Sequence, residues 1–241
     1  MTIKPYVINL KRRPHRLDYF RDFYKLSIPY EVFEAVDGND IDTNQLLNDG
    51  VIGNLGYQSI LNTKNNIPRV FHYELGSPGA IGCALSHINL YKKIVEENSP
   101  DTAYLIFEDD ALVNTLRYED INYLVNALPD DWHLYQIGAG KFITYTKSLN
   151  SPIENPVLYK LNKFHGTHAY VINLNGAKWL LNSDKFFPIN QQFDSHLSEL
   201  TEYGFNIYVH SLYQYYSTYK NTSDIQSAID IKDNSYDRLK I

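Results

Sequence analysis

The chain has 241 residues, 44% of them hydrophobic and 21% charged, with a net charge of −6. That balance suits a globular domain with a real core and excludes a disordered or fibrous chain. The acidic excess argues against non-specific nucleic-acid binding, which rests on phosphate neutralisation by Lys and Arg, although Lys11, Arg12, Arg13 and Arg16 form a local basic cluster.

Cys83 is the single cysteine, so no intramolecular disulfide can form and a reducing compartment is compatible. No apolar run reaches the roughly 18 residues of a spanning helix. Residues 3–10 are too short for a secretory signal, and their basic residues follow rather than precede the apolar run. Cytoplasmic residence, free or peripheral to a membrane, is the expectation.

Residues 6–10, Tyr-Val-Ile-Asn-Leu, read as a short buried strand. A helix is expected after Pro14, with Leu17, Phe20, Phe23 and Tyr24 on one face. Residues 30–36 read as a second strand closed by the turn dipeptide Asp37-Gly38. Residues 39–77, polar and rich in Asn and Gly, predict a long excursion holding short helices. Ile81, Ala84, Leu85, Ile88, Tyr91 and Val95 then recur at helical spacing, up to a stop at Ser99-Pro100-Asp101. Residues 103–107 form a near-continuous apolar strand that runs straight into Glu108-Asp109-Asp110. A helix over 118–128, a strand over 132–137, a strand over 168–172, a helix from Gly176, a helix holding Glu199 and a strand over 206–209 follow. From about residue 217 the chain reads as a polar tail, with strand or packing contacts only near 213–216. Strands alternate with helices, which predicts an α/β class with a mostly parallel central sheet flanked by helices. No linker is apparent, so residues 1–241 are read as one domain.

Three segments carry chemistry. An apolar strand ending in Glu108-Asp109-Asp110 places three carboxylates at the carboxyl edge of the sheet, where open α/β folds bind ligands. Crowded negative charges in a cleft call for a hard divalent ion, Mn²⁺ or Mg²⁺, whereas on a solvated turn they would need none. Alternation sends Glu108 and Asp110 to one side and Asp109 to the other. The run from Gly79 to His87 brings glycines into a helix start, where free amides attract anions; a capping role is the plainer alternative. Asn9, Arg13 and Arg16 follow the first strand and would lie at the same edge, unless the basic run is only a charged helix surface.

In order and spacing these segments resemble glycosyltransferase family 25. The opening Val7-Ile8-Asn9-Leu10, with Arg13 and Arg16, is similar to that family's first strand and basic turn. Gly82-Cys83-Ala84-Leu85-Ser86-His87 resembles its Gly-Cys-x-x-Ser-His helix, and Phe107-Glu108-Asp109-Asp110 its acidic metal motif. Residues 131–138, with Trp132, and residues 166–172, followed by Gly176-Ala177, resemble its later strands and helix start. Two departures stand out. His15 occupies a place where an acid is common, and the late Pro-aliphatic-Asp segment matches either Pro188-Ile189-Asn190, which lacks the acid, or Asp194 in Phe193-Asp194-Ser195-His196-Leu197.

The resemblance implies a GT-A-like, Rossmann-type fold and inverting transfer from a UDP-sugar to a glycan, lipid-linked oligosaccharide or hydroxylysine hydroxyl. It also implies Asp110 as metal ligand, with Glu108 and Asp109 as further ligands or ribose contacts. Asn9, Arg13 and Arg16 would hold the nucleotide, and Asp194 would be the base. His210 is a candidate to complete the metal shell, and Ser86 and His87 are expected in the substrate site without a derived role. Two other readings stay open: another metal-dependent nucleotide enzyme, such as a hydrolase or nucleotidyltransferase, and a catalytically silent glycan-binding domain.

Overall fold

A computed structural model describes residues 1–24, 29–112, 118–138, 141–147, 156–211 and 217–218. Its centre is an eight-stranded sheet. Strand β1 (Thr2–Asn9) lies between β2 (Glu31–Glu34) and β3 (Thr102–Glu108), and both pairings are parallel. β1 and β3 are almost wholly buried, as expected of apolar runs covered on both faces, while β2 carries Glu31 and Glu34 at the sheet's edge. Beyond β3 the order continues through β8 (Ala169–Asn173), β5 (Leu134–Gly138), β9 (Ile207–His210), β7 (Leu158–His165) and β6 (Lys141–Lys147).

The α/β class stands, with a refinement to the pairing. Six of the eight strands run in one direction, but β7 and β8 run against them, so three neighbour pairings are parallel and four antiparallel. The β6–β7 hairpin escapes the period-two signal of strands because its register shifts twice. In β7 the buried side chains Leu158, Leu161 and Phe164 therefore fall three apart instead of two.

The helices follow the sequence pattern closely. They are α1 (Pro14–Tyr24), α2 (Thr43–Asn48), α3 (Asn54–Lys64), α4 (Pro78–Glu97), α5 (Tyr118–Asn126), α6 (Leu174–Asn182) and α7 (Phe193–Leu200). In α1 Phe20 is fully buried, but Phe23 is 38% exposed and lies off the core face. Among the described residues, no helix is long and apolar enough to cross a membrane. Ser217–Thr218 forms a short strand, β10, antiparallel to β4 (Ala111–Leu112); residues 213–216 and the rest of the tail lie outside the described residues.

The longest helix, α4, is built to hold a loop against itself. Ser77 caps it by accepting from the Ala80 amide, Pro78 opens it, and Asn98 ends it in the left-handed region at φ 48°. Its apolar face buries Ile81, Ala84, Ile88, Tyr91 and Ile94. On another face the chain after β2 crosses so closely that a Cβ on Gly82 would stand 2.7 Å from the Val36 carbonyl oxygen and 3.0 Å from the Gly38 nitrogen. Ser86, one turn on, accepts from the Val36 amide at 2.9 Å and donates to the Gly82 carbonyl at 2.6 Å. Gly82→Ala must push this loop off the helix, and an overpacking cost of about 1–3 kcal/mol is expected in urea unfolding; an unchanged midpoint would show that the close approach is not essential.

Candidate active site

The parallel pairing of β1 with β3 sets Ile8 opposite Glu108, so both strands end at the same edge. The basic turn after Asn9 therefore meets the acidic run. Asn9 Nδ2 donates to Asp109 Oδ2 at 2.6 Å and to the Arg13 carbonyl at 3.2 Å. Arg16, from the first turn of α1, reaches both Asp109 Oδ1 at 2.9 Å and Asp110 Oδ2. Burial dominates Asp109 and, with the nearby Asp110 and Glu108 charges, outweighs Arg16 and Asn9 to push its pKa up to about 7. Asp110 is raised as well, by burial and then by Glu108.

Glu108 has the opposite fate. Burial works against its charge, but His168 and His87 more than compensate and hold its pKa well below the usual carboxylate range. Oε1 accepts from Thr167 Oγ1 at 2.9 Å and meets His87 Nε2 at 3.3 Å, while Oε2 meets His168 Nδ1 at 2.9 Å. The His87 ring stacks on Phe193 and its Nδ1 faces the Tyr170 hydroxyl at 2.7 Å, which in turn bonds Tyr91 at 2.6 Å. Burial lowers the pKa of His168, yet Glu108 overrides this and the net shift is upward.

A cleft of about 200 Å³ opens in front of this edge. Arg12, Arg16, Asp37, His87 and the three carboxylates line it, together with Ser77–Gly79 at the start of α4. Arg12 forms an ion pair with Asp37, whose pKa it lowers. One wall is thus cationic and amide-bearing, and the floor is acidic.

Two groups of described side chains could each hold a metal ion, with ligand atoms within 4.8 Å of one another: Glu108, Asp110 and His168, and Cys83, His87 and Glu108. The first fits better. Asp110 Oδ1 is shielded from solvent and has no hydrogen-bond partner among the described residues, as a carboxylate oxygen reserved for a cation would be. In the second group both His87 nitrogens are engaged, and burial keeps the Cys83 thiol protonated. Glu108 and Asp110 do lie on one side, with Asp109 turned toward β1, as strand alternation requires.

The family model for glycosyltransferase family 25 (LPS biosynthesis protein) matches residues 2–196. The chain belongs to glycosyltransferase family 25. Procollagen galactosyltransferase 1-A of Xenopus laevis is 29% identical over 207 residues, 79% of this chain and 31% of that protein. A glycosyltransferase 25 family member of Drosophila melanogaster is 31% identical over 204 residues, again 79% of this chain and 31% of that protein. The chain spans about a third of the length of these curated relatives. Among solved structures, mouse xyloside xylosyltransferase 1 overlaps 87% of this chain and 85% of its own at 12% identity, with a TM-score of 0.42.

In this family-25 chain, Asn9, Arg16, His87, Glu108, Asp109 and Asp110 converge at one edge. Arg13 joins them through its carbonyl, and Ser86 lines the cleft while bonding Val36 and Gly82. Asn190 packs against α3, where its Oδ1 accepts from the Gly56 amide at 3.2 Å; Asp194 instead accepts from the Gly166 amide at 2.7 Å, beside Thr167 and His168. His210 is not brought to Glu108 and Asp110. It ends β9, with β5 and β8 between it and β3, and its Nδ1 faces the Tyr135 hydroxyl at 2.9 Å; burial drops its pKa to about 4. The late histidine beside the acids is His168. Its place in Gly166-Thr167-His168, just before a strand, was the available signal, as the basic run was for Arg12.

Asp109 yields a pH test. Its folded-state pKa of about 7 lies above the ordinary aspartate value of 3.8, so ionising it costs stability. That cost is absent below about pH 4, grows between pH 4 and 7, and is complete above. In EDTA, Asp109→Asn should raise the thermal midpoint by roughly 3–8 °C at pH 8 and by much less at pH 4.5. Equal shifts at both values would mean that the carboxyl is not destabilised by burial.

Proposed function

We propose that this chain is an inverting, metal-dependent glycosyltransferase. It moves a hexose (galactose, glucose or N-acetylglucosamine) from a UDP-sugar to the hydroxyl of a glycan, a lipid-linked oligosaccharide or a hydroxylysine. The observation that carries this reading is the shielded oxygen of Asp110, which has no hydrogen-bond partner among the described residues, on a side chain that lies within reach of Glu108 and His168 and lines the cleft with Arg12 and Arg16. Family membership and the procollagen galactosyltransferase relatives support the transferase class and make galactose the leading donor sugar.

Glu108, Asp110 and His168 would hold the ion, Mn²⁺ or Mg²⁺, which when bound supplies a charge sink for the diphosphate. The chain's own groups supply the rest. Arg12 and Arg16 line the cleft as cations suited to a diphosphate, Arg16 being tied to the acidic floor by Asp109 and Asp110. Amides at the start of α4, next to Ser77–Gly79, add positive potential on the same wall. Asn9 and Asp109 form a fixed polar pair suited to ribose or phosphate contact. His87 holds Glu108 ionised and in place, which makes it a positioning residue. Transfer with inversion needs a charge sink on one side of the sugar and a proton acceptor on the other. In the sheet, β3 lies between β1, which leads to the basic turn, and β8, which follows the Gly166–His168 segment beside Asp194. Those two flanks supply the two requirements.

Thermal shift with UDP and Mn²⁺ tests the site. The parent should be stabilised by several degrees only when both are present, by mass action on the folded state, and Asp110→Ala should lose most of that gain. Equal stabilisation of both proteins by UDP without metal would contradict the assignment. Release of UDP from a panel of UDP-sugars would then distinguish an enzyme from a silent glycan-binding domain.

A further inference from the structure

Asp194 is the carboxylate that the sequence offers as proton acceptor, but both of its oxygens are committed. Oδ2 accepts from the Gly166 amide at 2.7 Å and Oδ1 from the Ser195 amide at 2.7 Å. Burial acts to raise its pKa, and His165 with these amides overrides burial and holds it low. Such a group is a poor proton acceptor and a firm anchor. Next to it stands His165, the last residue of β7, with Nδ1 3.7 Å from Asp194 Oδ2. On another side the His72 ring meets the His165 ring edge-on, with centroids 4.4 Å apart and planes at 84°. His165 is thus held between α7 and the segment joining α3 to α4, with 13% of its side chain accessible.

We propose that His165, oriented by Asp194 and His72, takes the proton from the attacking hydroxyl; this rests on the transferase reading above. Because Nδ1 is turned to Asp194, Nε2 lies on the opposite side of the ring. In the step, the hydroxyl proton passes to Nε2 and the oxygen lone pair forms the bond to the anomeric carbon. The bond from that carbon to the diphosphate oxygen breaks, and its electron pair leaves with the diphosphate. Asp194 then faces an imidazolium across Nδ1, the arrangement by which a carboxylate fixes the tautomer and steadies the charge of a histidine base. Burial, and then His165, lower the pKa of His72, so His72 contributes shape without a competing charge near neutral pH. Charged residues around this group include Arg69 from the segment before α4, Lys163 on β7 and His168, whose pKa Asp194 helps to raise, while Lys141 of β6 stands opposite His165 in register.

The test measures UDP release from UDP-galactose, UDP-glucose and UDP-N-acetylglucosamine with Mn²⁺, water serving as acceptor, across pH 5–9. His165→Gln should lower the rate by roughly 100-fold or more throughout that range, while keeping the parental stabilisation by UDP and Mn²⁺. Asp194→Asn should lose less, about 10-fold, as an orienting group would. Should the glutamine variant fold poorly, His165→Ala with added imidazole serves instead, and partial rescue is expected. A glutamine variant within about twofold of the parent overturns the proposal. So does an Asp194→Asn variant that is inactive while His165→Gln is not, because the carboxylate is then the base. A parent that releases UDP from none of the three donors overturns the transferase reading itself.

Discussion

The buried charge of Glu108 is the constraint around which the site is organised. A carboxylate taken out of water at a strand end is tolerated only if its oxygens are met by donors and its charge by a cation. Here the compensating groups come from two distant parts of the chain: His87 from α4, Thr167 and His168 from the segment entering β8. The Glu108 amide also donates to the His168 carbonyl at 2.8 Å, so that segment is pinned at backbone and side chain together. Satisfying one carboxylate therefore fixes the relative positions of β3, α4 and β8. The Tyr170–Tyr91 bond extends the same network into the core, and stacking on Phe193 ties it to α7.

A second consequence concerns what the neighbouring acids can do. With Glu108 kept ionised, Asp109 and Asp110 sit in its field as well as in each other's, and both are pushed toward the protonated form. Arg16 offsets part of this by touching both. The basic turn is thus more than a surface feature of α1, because removing it would leave two partly buried acids facing a third with less positive charge nearby. A shared edge of two parallel strands is what makes the compensation available, since it carries the turn after β1 and the end of β3 to the same place.

Much of this was legible in the residues, for identifiable reasons. The apolar run 103–107 ending in three acids marks both a buried strand and its chemistry, and the helical spacing from Ile81 to Val95 marks α4. Those signals are local. What escaped depends on distant pairing. The β6–β7 hairpin is hidden by its register shifts, which break the period-two pattern. The antiparallel insertion of β8 between β3 and β5 leaves no trace in local hydrophobicity. His168 and His210 illustrate the same limit. Each adjoins a strand, at the start of β8 and the end of β9, and only the strand order reveals that β8 borders β3 whereas β9 is two strands further out. The glycines at the start of α4 also read ambiguously, since Gly82 serves a close backbone approach while Ser77–Gly79 line the cleft.

The acidic edge makes sense only as a compromise with function. Three consecutive carboxylates, two of them resisting ionisation, weaken the fold where they stand, and a protein that needed only stability could replace them with apolar or amide side chains. Local destabilisation of this kind persists where a ligand relieves it. The unpartnered oxygen of Asp110 indicates the kind of relief, because a neutral sugar hydroxyl could satisfy that one acceptor but would leave the excess negative charge. The cation proposed above would answer both needs. The same logic separates the two sides of β3: positive groups gather beside β1, where negative charge would develop, and the histidines and Asp194 gather beside β8, where a proton would have to go. The asymmetry follows from strand order, and it is the form that the proposed inverting transfer would use.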